Sequence, residues 1–308
     1  MFTMVSNLVN KPNSFLIKTI LFTGLALIAF AANSVLCRLA LGGSAIDAST
    51  FTIVRLLSGV IVLTVILNIS KINTNSNSSP STKGSWPASI ALFLYAITFS
   101  FAYVTLETAT GALILFGSVQ ITMILLSIFS GNRLHISEWV GMAIAFAGFV
   151  YLILPGVTTP SVIGFFLMTV SGIAWGVYTL KGRGSKSPIM DTAYNFLRTI
   201  PFVIILAIIT MKYAHYSSEG ILLAALSGGI ASGIGYMIWY IALSGLSVTQ
   251  AAVLQLLVPV IAAVGGIIFV SESISLRLAV SSTMILGGIL MVVLGRYYYV
   301  QLQTGGKT

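Results

Sequence analysis

The chain predicts an all-α integral membrane protein of ten transmembrane helices in two inverted five-helix repeats. Three observations predict it. First, the 308 residues are 57% hydrophobic and 7% charged, with a mean hydropathy of +1.04. A soluble domain carries about 25% charged residues, so this chain cannot cover its surface with polar groups and needs lipid as its solvent. Second, its apolar stretches are continuous runs of about 20 residues rather than alternating stretches of about ten, which excludes a strand barrel. Third, the same polar signature opens one span in each half, Asp47, Phe51 and Arg55 and then Asp191, Tyr194 and Arg198. An odd number of spans separates the two signatures, so they start at opposite faces of the membrane, as in an inverted repeat.

The spans are read at 17–41, 50–69, 87–106, 110–130, 138–154, 161–180, 192–210, 220–242, 249–270 and 277–297. The first follows Lys11 and Lys18 as a signal peptide would, but it is too long and more spans follow, so it is a retained helix. It holds the single cysteine, Cys37, which excludes a disulfide framework. The second carries the Asp47 signature. A linker rich in Asn and Ser, 70–85, leads to the third. Trp86, Trp139 and the run Tyr297-Tyr298-Tyr299 fall at span ends, where amphipathic rings anchor helices at the interface. The sixth span holds Gly172-x-x-x-Gly176 and the eighth Gly229-x-x-x-Gly233, spacings that let helices approach closely. Pro201 in the seventh and Pro259 in the ninth each free a backbone carbonyl and are expected to bend their helices.

The halves, 1–155 and 156–308, overlay in order: Phe30 on Trp175, Asp47 on Asp191, Arg55 on Arg198, Tyr103 on Tyr240, Thr110-Gly111-Ala112 on Thr249-Gln250-Ala251, and Gly148 on Gly287. The common order and spacing carry the repeat. Inverted symmetry suits a cavity that opens alternately to each side, so the expected activity is transport of a small molecule.

The net charge of +9 concerns orientation rather than nucleic acid. With the N-terminus inside, Lys11, Lys18, Lys71, Lys83, Arg133, Lys181, Arg183, Lys186, Arg296 and Lys307 lie on the inner side, against Arg38, Lys212 and Arg277 outside. The positive-inside rule then places both termini in the cytoplasm. The expected partners are a small-molecule substrate and the lipid bilayer, the expected assembly is a monomer, and no nucleic acid, metal or cofactor is implied.

Arg55 and Arg198 each lie about a turn and a half into a span, roughly 7 Å deep. Each reads either as an interfacial anchor paired with its own aspartate or as a gate residue for an anionic group. The acids Asp47, Glu107, Glu138, Asp191, Glu219 and Glu272 all sit in loops or at span ends. A proton-driven cation exporter normally carries a carboxylate deep in the membrane, which argues against that mechanism; Glu107 is the nearest candidate for one. Polar and aromatic residues within the spans, including Asn33, Tyr103, Gln120, Trp175, Tyr178, Tyr240 and Gln255, read as interhelical hydrogen bonding or as the wall of a central cavity. Asn33, Arg55, Tyr103 and Glu107 are expected at an outer gate, Tyr178, Arg198 and Tyr240 at an inner one, and Trp175, Gln120 and Gln255 between them. His135 and His215 are lone loop residues, and the chain holds no nucleophile elbow or phosphate-cradling loop.

The stretches Phe51 to Arg55, Thr108-Ala109-Thr110-Gly111-Ala112-Leu113-Ile114 and Ala251-Ala252-Val253-Leu254-Gln255-Leu256-Leu257-Val258-Pro259-Val260 followed by Glu272 resemble the paired-EamA branch of the drug/metabolite transporter superfamily. The first half departs from the pattern, with Gln120 in place of the proline and Arg133 in place of the acid. The resemblance implies a ten-helix inner-membrane carrier. Its cargo would be amino acids, other small metabolites or organic cations, and export is common among such carriers. With export taken from the resemblance, the tyrosine, tryptophan and amide set favours small zwitterions such as amino acids as cargo, and the missing mid-membrane carboxylate favours no obvious proton coupling; the alternative is a proton-coupled organic-cation exporter that uses Glu107.

Overall fold

The computed structural model describes residues 13–74, 84–129, 136–154, 160–182, 185, 187–243, 245–246 and 254–305. The expectations for Arg133, Arg183, Lys186 and Thr249-Gln250-Ala251 lie outside them, as do the side chains of Tyr297 to Tyr299. Regular structure among the described residues is helical, apart from one isolated antiparallel bridge between Ile46 and Tyr216. The helices are α1 (Asn13–Gly42), α2 (Ala48–Thr74), α3 (Trp86–Tyr103), α4 (Thr108–Phe129), α5 (Ile136–Ile153) and α6 (Val162–Gly182). They continue with α7 (Pro188–Leu197), α8 (Ile200–Thr210), α9 (Ser218–Leu226), a π-helical segment (Ser227–Ile234), α10 (Gly235–Leu243), α11 (Leu257–Val270) and α12 (Leu276–Gly305). Eight helical stretches are long and apolar enough to cross a membrane. Two predicted spans are shorter apolar helices, Ile136–Leu152 and Leu257–Val270.

Local chemistry sets the helix ends. Ser85 caps α3, its hydroxyl accepting from the Ala88 N–H at 3.3 Å, with a proline in the first turn where no amide is needed. Ser217 caps α9 through the Gly220 N–H at 3.0 Å, and Ser275 caps α12 through the Leu278 N–H at 3.1 Å. The predicted seventh span is broken at Arg198 and Thr199, just before Pro201, which has no amide hydrogen to return to Leu197. Pro259 lies in the first turn of α11, immediately after a turn at Leu256, rather than in mid-helix. Its missing N–H accounts for the interruption between Gln255 and Leu257. At the other end of α11, Ser271 adopts the left-handed conformation (φ 58°) and its N–H returns to Gly266.

The packing is inside-out relative to a soluble protein. Large apolar side chains such as Ile61, Ile163, Ile208 and Phe269 face outward, while Asn33, Arg55, Ser100 and Ser232 are buried. Helix α6 lies against α3 and α4, α1 against α10 and α11, α2 against α7 and the π segment, and α5 against α12. Small residues make the closest of these contacts. A β-carbon on Gly141 would lie 2.6 Å from the Gly288 carbonyl oxygen, and one on Gly288 would lie 2.5 Å from that of Gly141. Gly172 packs the same way on Leu115 and Ser118 of α4. The tightest crossing is that of the π segment on α2, where a β-carbon on Gly228 would overlap the Arg55 carbonyl. Gly228→Ala is therefore expected to lower the thermal stability of the purified protein by about 1–3 kcal/mol, the cost of overpacking. Gly287→Ala, at a position with open space, is expected to leave it unchanged; melting curves in detergent compare them.

Candidate functional site

The π segment brings the polar residues of the centre together. Ser227 and Ser232 are five residues apart, which in an α-helix at 100° per residue would point them to different faces. The wider π turn brings both to α1. The Ser227 hydroxyl donates to Asn33 Oδ1 at 2.7 Å, and Asn33 Nδ2 donates to Ser232 Oγ at 3.1 Å. Ser232 Oγ also accepts from Arg55 Nε and Nη2, each at 3.3 Å, and Arg55 Nη2 donates to the Tyr95 hydroxyl at 2.8 Å. The Arg55 guanidinium carbon lies 4.7 Å from the centre of the Phe99 ring and 5.1 Å from that of Tyr95, within cation–π range.

Aromatic rings from five helices surround this hub. Trp175 lies 4.6 Å from Tyr236, 4.9 Å from Tyr95 and 6.2 Å from Phe30, centre to centre. The Tyr236 hydroxyl donates to that of Tyr95 at 3.3 Å. Phe30, Asn33, Tyr95, Phe99, Leu115, Phe116, Trp175 and Tyr236 enclose a cavity of about 10 Å³, room for about one water molecule. A larger polar cavity, about 280 Å³, lies towards one end of the bundle, lined by Glu107, Thr110, Ser161 and Ser273 among others.

Each end of the bundle is held by an aspartate of the repeated signature. At one end Asp47 Oδ2 accepts from the His215 N–H at 2.9 Å, and the Asp47 N–H donates to the His215 carbonyl at 2.8 Å. Asp47 Oδ1 also caps α2 through the Thr50 N–H at 2.9 Å. Partial burial pushes this carboxyl up, but the donors from Thr50, His215 and Ser49 outweigh it and hold it below the usual carboxylate range. At the other end Asp191 Oδ1 accepts from the Gly84 N–H at 2.8 Å, Asp191 Oδ2 from the Ser185 hydroxyl, and Asn195 Oδ1 from the Ser85 N–H at 2.8 Å. Both aspartates therefore hold the backbone just ahead of a helix in the other half, α9 in one case and α3 in the other. The two ends are opposite. Arg38, near the end of α1, donates to the carbonyl of Tyr103, which closes α3, while Gly84 lies before the start of that helix.

A further cluster joins the Asp47 end. The Glu272 carboxylate accepts from Arg38 Nε at 3.1 Å and from the Thr108 N–H at 2.9 and 3.1 Å, so it caps α4 while paired with α1. Nearby Glu107 sits above the usual carboxylate range, chiefly because of partial burial and then the like charge of Glu272, with Arg38 opposing the shift.

Of the residues singled out from the sequence, the structure unites Asn33, Arg55 and Trp175 at the centre. Tyr178 stacks on Trp175 at 5.4 Å. Arg55 is buried and bonded to hydroxyls, while Asp47 is engaged elsewhere, so the interfacial pairing of these two does not occur. Tyr103 and Glu107 lie at the Glu272 end, where the Tyr103 hydroxyl donates to the Thr108 carbonyl at 3.3 Å. Arg198 lies at the Asp191 end, 5.8 Å over the Trp86 ring, and Tyr240 packs on Gly182. Gln120 and Gln255 are buried but do not line the central cavity. Sequence reading missed Tyr95, Tyr236, Ser227 and Ser232. The one signal for the serines was the small-residue run SGGIASGI, which reads as a packing motif unless the π register is known. The Arg38–Glu272 pair links residues far apart in the chain and had no local signature.

The profile of the EamA-like transporter family matches residues 162–294. An uncharacterized protein of Pseudomonas aeruginosa is 43% identical over 281 residues, covering 91% of this chain and 96% of its own. The chain belongs to the EamA family of the drug/metabolite transporter superfamily. Two proteins of Archaeoglobus fulgidus, each named an uncharacterized transporter, are 25% identical over 213 and 208 residues, 65% of this chain and 73% of theirs. One solved crystal structure has a TM-score of 0.57 at 19% identity, over 88% of this chain and 98% of its own, a likeness of fold. This EamA-family chain is thus a multi-pass membrane protein.

The bonds at Asp47 have a pH signature. Its folded carboxyl is harder to protonate than in the unfolded chain, so the stabilisation is complete above the unfolded value of about 3.9 and is lost as pH falls through the lower folded value. Asp47→Asn is expected to melt below wild type at pH 7, with the gap starting to close only as pH falls past about 4 and vanishing below the lower folded value, as followed by melting curves across pH.

Proposed function

We propose that this protein is an inner-membrane alternating-access exporter of small zwitterionic metabolites such as amino acids, built as two inverted five-helix repeats with both termini cytoplasmic. The observation that carries the reading is the polar and aromatic centre, formed jointly by α1, α2, α3, α6 and the π segment, with ties at both ends made by the repeated aspartates. An exchange of contacts supports the repeat. Helix α6 lies on α3 and α4 as α1 lies on α10 and α11, which pairs the first helix of each half with the third and fourth of the other. In this orientation the Asp47 and Glu272 end is outer and the Asp191 end inner, and the contracted centre is an occluded conformation. Separating the halves at one end while the other stays tied would open the centre to one side at a time.

A guanidinium at the centre with no acid beside it disfavours a cation as cargo. Counterflow in proteoliposomes containing only this protein tests the reading. Saturable entry of a labelled amino acid into vesicles loaded with the same unlabelled amino acid, without a pH gradient, is the expected result. Silence across amino acids and organic cations would overturn it. Arg198→Ala is expected to slow that counterflow several-fold while the protein stays folded; an unchanged rate would remove Arg198 from the inner gate.

A second reading, proton-coupled export of organic cations, is favoured by one observation: the raised carboxyl of Glu107 beside the polar cavity, near Glu272 and Arg38. Under it, Glu107→Gln should abolish the pH dependence of transport. Under the leading reading the wild type shows little pH dependence and the variant matches it.

A further inference from the structure

We propose that Arg55 is the docking point for a carboxylate of the cargo, and that the cargo is a small monocarboxylate whose apolar or aromatic body packs on the rings around Trp175. The inference rests on the transport reading above and names the cargo class of that site.

The argument begins with an orphaned donor. Arg55 is 1% exposed, and its Nη1 atom has no hydrogen-bond partner. Its Nε and Nη2 atoms are taken by the hydroxyls of Ser232 and Tyr95. The chain has six acidic residues, all of them described, and the ion pair formed among the described residues is Arg38 with Glu272. A guanidinium therefore stands in the protein interior with no carboxylate bonded to it, in contact with hydroxyls and ring faces. Removing it from water without a counter-charge costs several kcal/mol, and a planar fork with one free end matches the geometry of a carboxylate.

Arg55 also adjoins the cavity. Tyr95 and Phe99, whose ring faces it covers, both line it, as does Asn33, which shares Ser232 with Arg55. The rest of the lining is apolar or aromatic, with Trp175 and Tyr236 at its centre. One cation, no anion and a wall of rings suit a molecule with one carboxylate and an apolar body. At about 10 Å³ the cavity does not admit such a molecule in this conformation. The Tyr95–Tyr236 hydroxyl contact at 3.3 Å joins α3 to α10 across the centre, and entry of the cargo would part it.

The test measures binding, by tryptophan fluorescence and calorimetry on the purified full chain in detergent. Four probes share a phenyl body: L-phenylalanine and 3-phenylpropionate carry a carboxylate, phenylalaninamide and 2-phenylethylamine do not. The expected result is that the two carboxylates bind at least about tenfold tighter than the other two. Arg55→Gln should erase that preference, and Arg55→Lys, which keeps the charge but loses the fork, should retain part of it. Should Arg55→Gln fail to fold, the wild-type preference and the Lys variant decide. Equal binding of acid and amide by the wild type overturns the proposal, as does a preference that survives in Arg55→Gln. Silence of all four probes while another solute drives counterflow overturns the cargo class and leaves the transport reading standing. Silence in both assays overturns the two together.

Discussion

A guanidinium sits near the middle of a bundle whose outer solvent is lipid, and no carboxylate neutralises it. Much of the surrounding structure follows from that constraint. Water is excluded from Arg55, so each of its donors must find a partner in the protein or leave the group at a high free energy. Ser232 and Tyr95 supply two of those partners, and the faces of Tyr95 and Phe99 supply diffuse attraction. Ser232 can serve only because the π segment turns it towards α1 and α2 together. The π segment can approach α2 only because Gly228 offers no side chain to the Arg55 carbonyl. The charge, the irregular helix and the glycine thus form one unit.

The ends of the bundle are tied differently from its centre. Asp47 and Asp191 each hold backbone amides of the opposite half, and backbone amides are donors that must be satisfied wherever they are buried. Carboxylates taking such bonds are strong, local and reversible ties. Glu272 adds a third, capping α4 while paired with Arg38. The alternating access we propose calls for ties of this kind, since an apolar seam has no comparable directional specificity in lipid. The centre, by contrast, is packed chiefly by aromatic rings.

Aromatic and hydroxyl groups of the core also explain why mid-membrane acids are unnecessary for a polar interior. Asn33, Ser227 and Ser232 satisfy one another, so the polar centre carries a single formal charge, that of Arg55. That single charge in an apolar wall is what motivates the proposed docking of a carboxylate there.

The sequence by itself determined the membrane environment, the helical class and the eight spans that the structure shows as long apolar helices, because the free energy of placing long apolar runs in water is large and local. It also exposed the two aspartates and Asn33, Arg55 and Trp175, since polar groups stand out in apolar runs, although it expected Asn33 and Arg55 at an outer gate rather than beside Trp175. Tertiary structure alone decided which of those residues meet. Arg55 looked like the natural partner of Asp47 on its own helix, yet Asp47 turns to His215 and Arg55 turns inward to Ser232 and Tyr95. The π register of Ser227–Ile234 left no mark beyond a run of small residues, because one extra residue per hydrogen-bonded turn changes the facing of side chains without changing composition. The Arg38–Glu272 pair, 234 residues apart in the chain, was out of reach for the same reason: a contact between distant segments depends on how helices pack, and apolar helices encode that through shape rather than through any local pattern.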